Sequence, residues 1–412
     1  MRCGAANEVG RPSGAGATRG LRNAEDRPVI ARLRVRPFHA LIGLAVANHL
    51  VLTGSRMAVP LDALSHGGNA ATVGALMALF ALLPMFLAIA AGRLADRAGV
   101  RKPMLAGSVG MAASVLIPTL LPGLPALFAT AMLSGVSFML FQVAAQYATG
   151  EMGTGERRTD HFALMALGLS TSSIGGPMIA GFAIDHVGFR TTFALLALLP
   201  LVPIAALASN AIALPGPHPA RRASAGSALD LVAHREIRRA FIINALVSMA
   251  WELHTLFVPI YGNAIGLSAS RIGLVLGAFG AATFAVRLAM PMIARRVPEH
   301  RVLTFALYVA AIVYFALPFS RDVGTLMTLS FCLGLGLGAS QPMVMSVLHA
   351  YAPPGRMGEA AGLRLSLVNS MAVAVPLVFG TVGGRVGVAP VLLSVSVFLA
   401  TGGFLTRGAP RA

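Results

Sequence analysis

Apolar residues in this chain come in runs of about twenty, separated by short stretches that gather glycine, proline and arginine. A helix needs about 20 mostly apolar residues to cross the hydrocarbon core of a bilayer. Twelve runs meet that length, near 38–61, 70–92, 103–122, 124–148, 162–184, 190–212, 239–262, 269–291, 301–319, 324–348, 361–383 and 388–406. The pattern predicts an all-α membrane protein with twelve transmembrane helices.

Composition points the same way. Hydrophobic residues make up 56% of the chain and charged ones only 11%, with a mean hydropathy of +0.76. A soluble domain covers itself with roughly 25% charged residues, so lipid is the natural solvent here. The net charge of +17 is not arranged as a long basic stripe, which argues against a nucleic-acid partner. In a membrane protein that excess reads as positive-inside loops and contact with anionic lipid heads.

Charge also tests the span count. With a cytoplasmic N-terminus and twelve alternating helices, the outer loops hold only Arg190, Arg271, Arg321 and Arg385. Arg56 falls inside a span, and Arg287 is expected to snorkel to the cytoplasmic interface from just before Pro291. The other 26 basic residues all fall on the cytoplasmic side, an asymmetry that one missed span would scramble. Both termini are therefore expected in the cytoplasm.

Four segments follow. Residues 1–37 read as a disordered basic cytoplasmic tail, with an Arg-rich transit peptide or an over-long start as alternatives. Residues 38–212 form an N-terminal six-helix half, 213–238 a cytoplasmic linker, and 239–407 a C-terminal six-helix half. Within the linker, Leu229 to Ile237 has the composition of a short interfacial helix. The two cysteines, Cys3 and Cys332, offer no disulfide framework.

The halves repeat. A gapless shift of 199 residues superposes Pro60 on Pro259, Gly74 on Gly273, Gly135 on Gly334 and Gln142 on Gln341. It also pairs Arg157 with Arg356, Pro177 with Pro376, Gly181 with Gly380 and Gly188 with Gly387. Duplicated six-helix units related by an axis along the membrane normal are a transporter architecture, with the binding site between them.

The second cytoplasmic turn reads Gly92-Arg93-Leu94-Ala95-Asp96-Arg97-Ala98-Gly99-Val100-Arg101-Lys102. It closely resembles the signature loop of the major facilitator superfamily (MFS). That resemblance implies the MFS fold and a gating role for Gly92, Asp96, Arg97, Gly99, Arg101 and Lys102. The alternative is that Arg97, Arg101 and Lys102 are simply topology charges and Asp96 a surface partner for them. In the fifth span, Gly175-Gly176-Pro177-Met178-Ile179-Ala180-Gly181 resembles the core of a motif associated with exporters, with Ser172 where that motif has its first glycine. Gly176, Pro177 and Gly181 would equally allow a bend and close packing. The Arg that proton-coupled drug exporters of the family carry four residues before a fourth-span glycine is here Ala131, ahead of Gly135.

Residues three, four and seven apart share a helix face. His49, Thr53, Arg56 and Pro60 make such a stripe in the first span, and the repeat carries it onto Ser248, Glu252, Thr255 and Pro259 in the seventh. In the resembled family these two helices line the central cavity. Glu252 is the only acidic residue well inside a predicted span. An intramembrane ionisable group is by default a functional candidate. Glu252 is assigned as the proton-titrating site, and Arg56 as a substrate-anion contact or the counter-charge of Glu252. A static bridge between Arg56 and Glu252 is the structural alternative. His254 points away from Glu252 and is expected to bond between helices, while Trp251 packs. Gln142, Gln146, Gln341 and Asn369 are further cavity candidates, equally suited to joining helices.

Neither a phosphate-binding G-x-x-x-x-G-K loop nor metal-ligand spacing is present, so no enzyme activity, cofactor or metal is expected. The reading is a secondary active transporter of a small organic molecule, working by alternating access in the inner (cytoplasmic) membrane, proton-coupled and leaning to efflux. It needs no partner subunit and is expected to act as a monomer. Metabolite uptake by the same fold, or a non-transporting membrane sensor, are the alternatives. Usage rich in Ala, Gly and Arg, with Lys102 the only lysine, points to a GC-rich bacterium.

Overall fold

A computed structural model of the chain describes residues 37–153, 156–216, 230–352 and 356–406. The basic tail with Cys3, and linker residues 217–229, lie outside the described residues. The first four spans are Pro37–Ser65, Ala70–Ala98, Arg101–Leu120 and Leu124–Met152. The fifth and sixth share one helical run, Glu156–Leu198, broken at Gly188 and continued by Leu201–Ala208. The second half comprises Arg235–Ala264, Ala269–Arg296, Glu299–Ala316, Val323–Tyr351, Met357–Val386 and Val388–Thr406. Counted with the break at Gly188, these are twelve antiparallel crossings in two halves of six.

Several helices run longer than the apolar runs that announce them. The eighth passes through Pro291 to Arg296, and the eleventh starts at Met357, four residues before the expected edge. Proline removes one backbone hydrogen bond but does not end a helix whose neighbouring turns are packed. The sixth span is shorter than expected, ending at Ala208 instead of residue 212. Of the expected linker helix, Leu229 lies outside the described residues, Asp230–Ala233 is helical, and a break at His234 separates it from the helix that starts at Arg235. Arg235, Arg238 and Arg239 therefore belong to the seventh span, where Arg239 pairs with Glu236 at 3.3 Å.

The spans present two faces. One bears Pro37, the turn at Gly99 and Val100, and Arg295 with Arg296 (the basic face); the other bears the turns at residues 66–69 and 265–268. Two of the helices starting at the opposite face are capped by polar side chains: Asn69 accepts from the Thr72 amide at 2.9 Å, and Asp322 from the Thr325 amide at 3.0 Å. Such caps satisfy amides that lipid cannot. Gly188 and Gly387, at the joints before the sixth and twelfth spans, both hold positive φ, 76° and 85°, a conformation that glycine alone adopts without strain.

The repeated glycines and prolines mark helix crossings. A Cβ on Gly74 would collide with the Pro376 carbonyl, joining the second and eleventh spans; its repeat partner Gly273 stands the same way over the Pro177 carbonyl, joining the eighth and fifth. Within each half, Gly135 lies against the Phe80 carbonyl and Gly334 against that of Phe279, again a pair related by 199 residues. Lipid provides no hydrophobic drive between helices, so close backbone approach at small residues carries much of the association. Large apolar side chains such as Phe305, Phe315, Phe398 and Phe404 project outward, which suits a lipid boundary. The first and seventh spans touch, as do the second and eleventh and the fifth and eighth.

Candidate functional site

Between the halves lies a cavity of about 230 Å3. Its lining includes His49, Leu52, Thr53 and Arg56 from the first span, and Trp251, His254 and Thr255 from the seventh. The fifth span adds Leu169, Ser173 and Pro177; the eighth adds Leu276, Phe279 and Arg287. Helical spacing of three and four puts the first- and seventh-span residues on one face each, and the repeat turns those faces toward one another.

Arg56 and Glu252 close the gap between the halves. Nη2 of Arg56 lies 2.5 Å from Oε2 of Glu252, with the Glu252 side chain 10% exposed and that of Arg56 21%. Glu252 stands 17 residues into its 30-residue helix, about 26 Å at 1.5 Å per residue and close to the helix middle. A charge at that depth is tolerated when paired and hydrogen-bonded. Arg56 still carries a buried Nε donor with no partner, and His49 a buried Nδ1 with none.

Thr53 donates to the Ser172 carbonyl of the fifth span at 2.9 Å, and Thr255 to the Trp251 carbonyl at 3.1 Å. The His49 ring tilts against Phe138 at 5.3 Å. Gln142, Gln341 and Asn369 are half-buried and Gln146 is exposed; none of the four lines this cavity.

His254 has a double character. It reaches Ser330 in the tenth span, Nε2 to Oγ 3.0 Å, and stacks on Phe279 at 4.5 Å, while one edge borders the cavity. Trp251 meets the same Phe279 edge-on at 4.7 Å and lines the cavity as well as packing.

Arg287 corrects the sequence expectation. It does not snorkel to an interface: because the eighth helix continues to Arg296, Arg287 sits nine residues inside its end. There it donates from Nη1 to the Ala166 carbonyl at 3.1 Å and to Ser170 Oγ at 2.7 Å, both on the fifth span. An arginine inside a span is costly unless its donors find acceptors, and those two bonds supply them. Phe279 was also missed. Its signal was the repeat, since Phe80 stands 199 residues earlier.

In the fifth span, Gly176 lets the first helix pass directly over it: a Cβ there would strike Thr53 Oγ1 and the Gly54 amide. Pro177 lines the cavity, and Gly181 abuts the Ala269 carbonyl. At the basic face, Gly99 ends the second span with φ 73°. Arg101 donates to the Leu207 and Ile212 carbonyls at 2.8 and 2.5 Å. Gly92 is half-buried, while Arg97 and Lys102 are exposed. The Asp96 side chain lies outside the described set.

On the opposite face the halves are tied by Asp185. Its carboxylate accepts from the Ala269 amide at 3.0 Å and the Ser270 amide at 2.8 Å, at the start of the eighth helix.

The chain is 26% identical over 314 residues to a class G tetracycline resistance protein of Vibrio anguillarum, covering 74% of this chain and 79% of that one. An MFS-type transporter of Aspergillus fumigatus is 28% identical over 344 residues, 77% of this chain and 76% of the other. A crystal structure of a POT family transporter in complex with a thioalcohol-conjugated peptide shares the fold with a TM-score of 0.74, at 13% identity, over 90% of this chain and 95% of that one. Residues 41–377 match the family model described as Major Facilitator Superfamily. With the duplicated six-helix halves and the cavity between them, that match shows that the chain belongs to the Major Facilitator Superfamily of multi-pass membrane transporters.

Proposed function

We propose that this protein is a proton-coupled secondary transporter that moves a small organic molecule by alternating access, with export as the favoured direction. The observation that carries the reading is the Arg56–Glu252 ion pair, which joins the two halves beside the cavity. Protonating Glu252 removes one charge of the pair and weakens the tie, so proton binding and the rocking of the halves are linked at one contact. Thr53, Thr255 and His49 supply polar contacts in the cavity, and Gly92, Asp96, Arg97, Gly99, Arg101 and Lys102 form the gate on the basic face. The positive-inside bias of the loops supports placing that face, and both termini, in the cytoplasm of a bacterial inner membrane. One chain supplies both walls of the cavity, which supports a monomer. Export draws support from the Gly175–Gly181 pattern and from distant relatives named for tetracycline resistance.

The test is expression in an efflux-deficient bacterium, scored against a panel of toxic compounds for wild type, Glu252→Gln and Arg56→Ala at matched membrane levels. Protection by wild type that is lost in Glu252→Gln is the expected result. Equal protection by both would remove Glu252 from coupling. Absence of protection across the panel would shift the reading toward uptake of a metabolite.

A further inference from the structure

We infer that the cavity binds a small organic monoanion, its carboxylate or similar oxyanion taken by Arg287 and its apolar body by Trp251, Phe279 and Leu276. The inference rests on the cavity being the transport site and names the substrate class for it.

Charge is the first ground. Two guanidiniums, Arg56 and Arg287, line the cavity, and Glu252 is already engaged by Arg56 at 2.5 Å. The bonds that hold Arg287 go to neutral oxygens, the Ala166 carbonyl and Ser170 Oγ, and both leave from Nη1. With two guanidiniums and one carboxylate, the site holds one positive charge more than its carboxylate balances. A buried cation calls for an anion, and a guanidinium fork suits a carboxylate or phosphate geometry best.

Position is the second ground. The repeat puts Ala88 where Arg287 stands, so this charge is no part of the scaffold that the two halves share. Its hydrogen bonds run sideways to the fifth span at similar depth and do not lead to the helix end. The remaining wall is mostly apolar, with Trp251 and Phe279 edge-on at 4.7 Å beside Leu276 and Leu52. The volume of about 230 Å3 falls below the range of roughly 300–1,000 Å3 for drug-sized pockets. A compact aromatic or branched acid fits those limits.

Trp251 is the only tryptophan in the chain, so intrinsic fluorescence of the purified full-length protein reads this cavity directly. Benzoate, benzamide and benzylamine share a shape and differ in charge. Benzoate should quench saturably and bind at least about tenfold more tightly than benzamide, the increment of one charge-assisted hydrogen bond, and benzylamine should bind weakest. Arg287→Gln should bring the benzoate-to-benzamide ratio to about one, while Arg287→Lys keeps part of the preference. Equal affinity for benzoate and benzamide, no saturable quenching by benzoate, or an unchanged ratio in Arg287→Gln overturns the inference. The wild-type comparison needs no variant to fold. Counterflow of labelled benzoate in proteoliposomes separates the two claims. Binding without flux sinks the transport reading and leaves the anion site, whereas flux of other solutes with no carboxylate preference does the reverse.

Discussion

The Arg56 guanidinium and the Glu252 carboxylate, 196 residues apart in sequence, meet at 2.5 Å where the first and seventh spans come together. Removing one partner of a buried ion pair costs about 3–5 kcal/mol, because the other charge is left uncompensated, whereas replacing both with apolar residues is often neutral. Thermal unfolding in detergent should show Arg56→Met and Glu252→Leu each less stable than the double variant. A double variant as unstable as the sum of the singles would show that the two residues stabilise the fold independently.

Asp185 holds the start of the eighth helix from the end of the fifth. As an anion on a helix N-terminus it is also favourably placed in the backbone field. Asp185→Asn keeps the shape and loses the charge, so the opposite face should open more readily. The readout is labelling of a cysteine introduced at Leu52, in a chain without Cys3 and Cys332, by an impermeant reagent added from that face. Labelling should rise in Asp185→Asn; an unchanged rate would mean that the helix crossings alone keep the face shut.

Gly176 and Gly43 make a matched pair for packing. A Cβ at Gly176 meets Thr53 and the first-span backbone, while one at Gly43 meets nothing within 4 Å. Gly176→Ala should lower stability by about 1–3 kcal/mol, the usual cost of overpacking, and Gly43→Ala should leave the melting temperature unchanged or raise it. The reverse order would contradict the close crossing of the first and fifth spans.

His254 is buried and bonded to Ser330. If that bond is structural, His254→Leu costs about 1–3 kcal/mol for the stranded hydroxyl and leaves the pH profile of transport in place. A shifted pH profile at unchanged stability would instead place His254 in proton coupling.

Arg101 ties the start of the third span to the end of the sixth, while Arg97, in the last turn of the second, is exposed. Arg101→Gln should therefore reduce stability, and so membrane abundance, by the loss of two charge-assisted bonds, about 1.5–3 kcal/mol each before relaxation. Arg97→Gln should not. Equal effects would assign the loop a common role in gating over one in anchoring.

The sequence by itself determined the solvent, the number of crossings and the duplication. A run of twenty apolar residues has one stable fate in lipid, a helix that satisfies its own backbone. A gapless repeat of 199 residues likewise carries its glycines and prolines into equivalent helix crossings, as Gly74 with Pro376 and Gly273 with Pro177 show. Helical spacing also made the His49, Thr53, Arg56 stripe visible and pointed it at Glu252. What only the tertiary structure decided was depth and partnership. Arg287 read as an interfacial residue because Pro291 looked like a helix end; packing kept the helix going to Arg296 and drew Arg287 onto Ala166 and Ser170. Gln142 and Gln341 repeat faithfully, yet neither lines the cavity, since periodicity fixes which residues share a face and not which neighbour that face meets. Asp185 gave no signal at all: its partners are backbone amides 84 and 85 residues away, and every residue but proline carries such an amide, so no side-chain pattern could announce them.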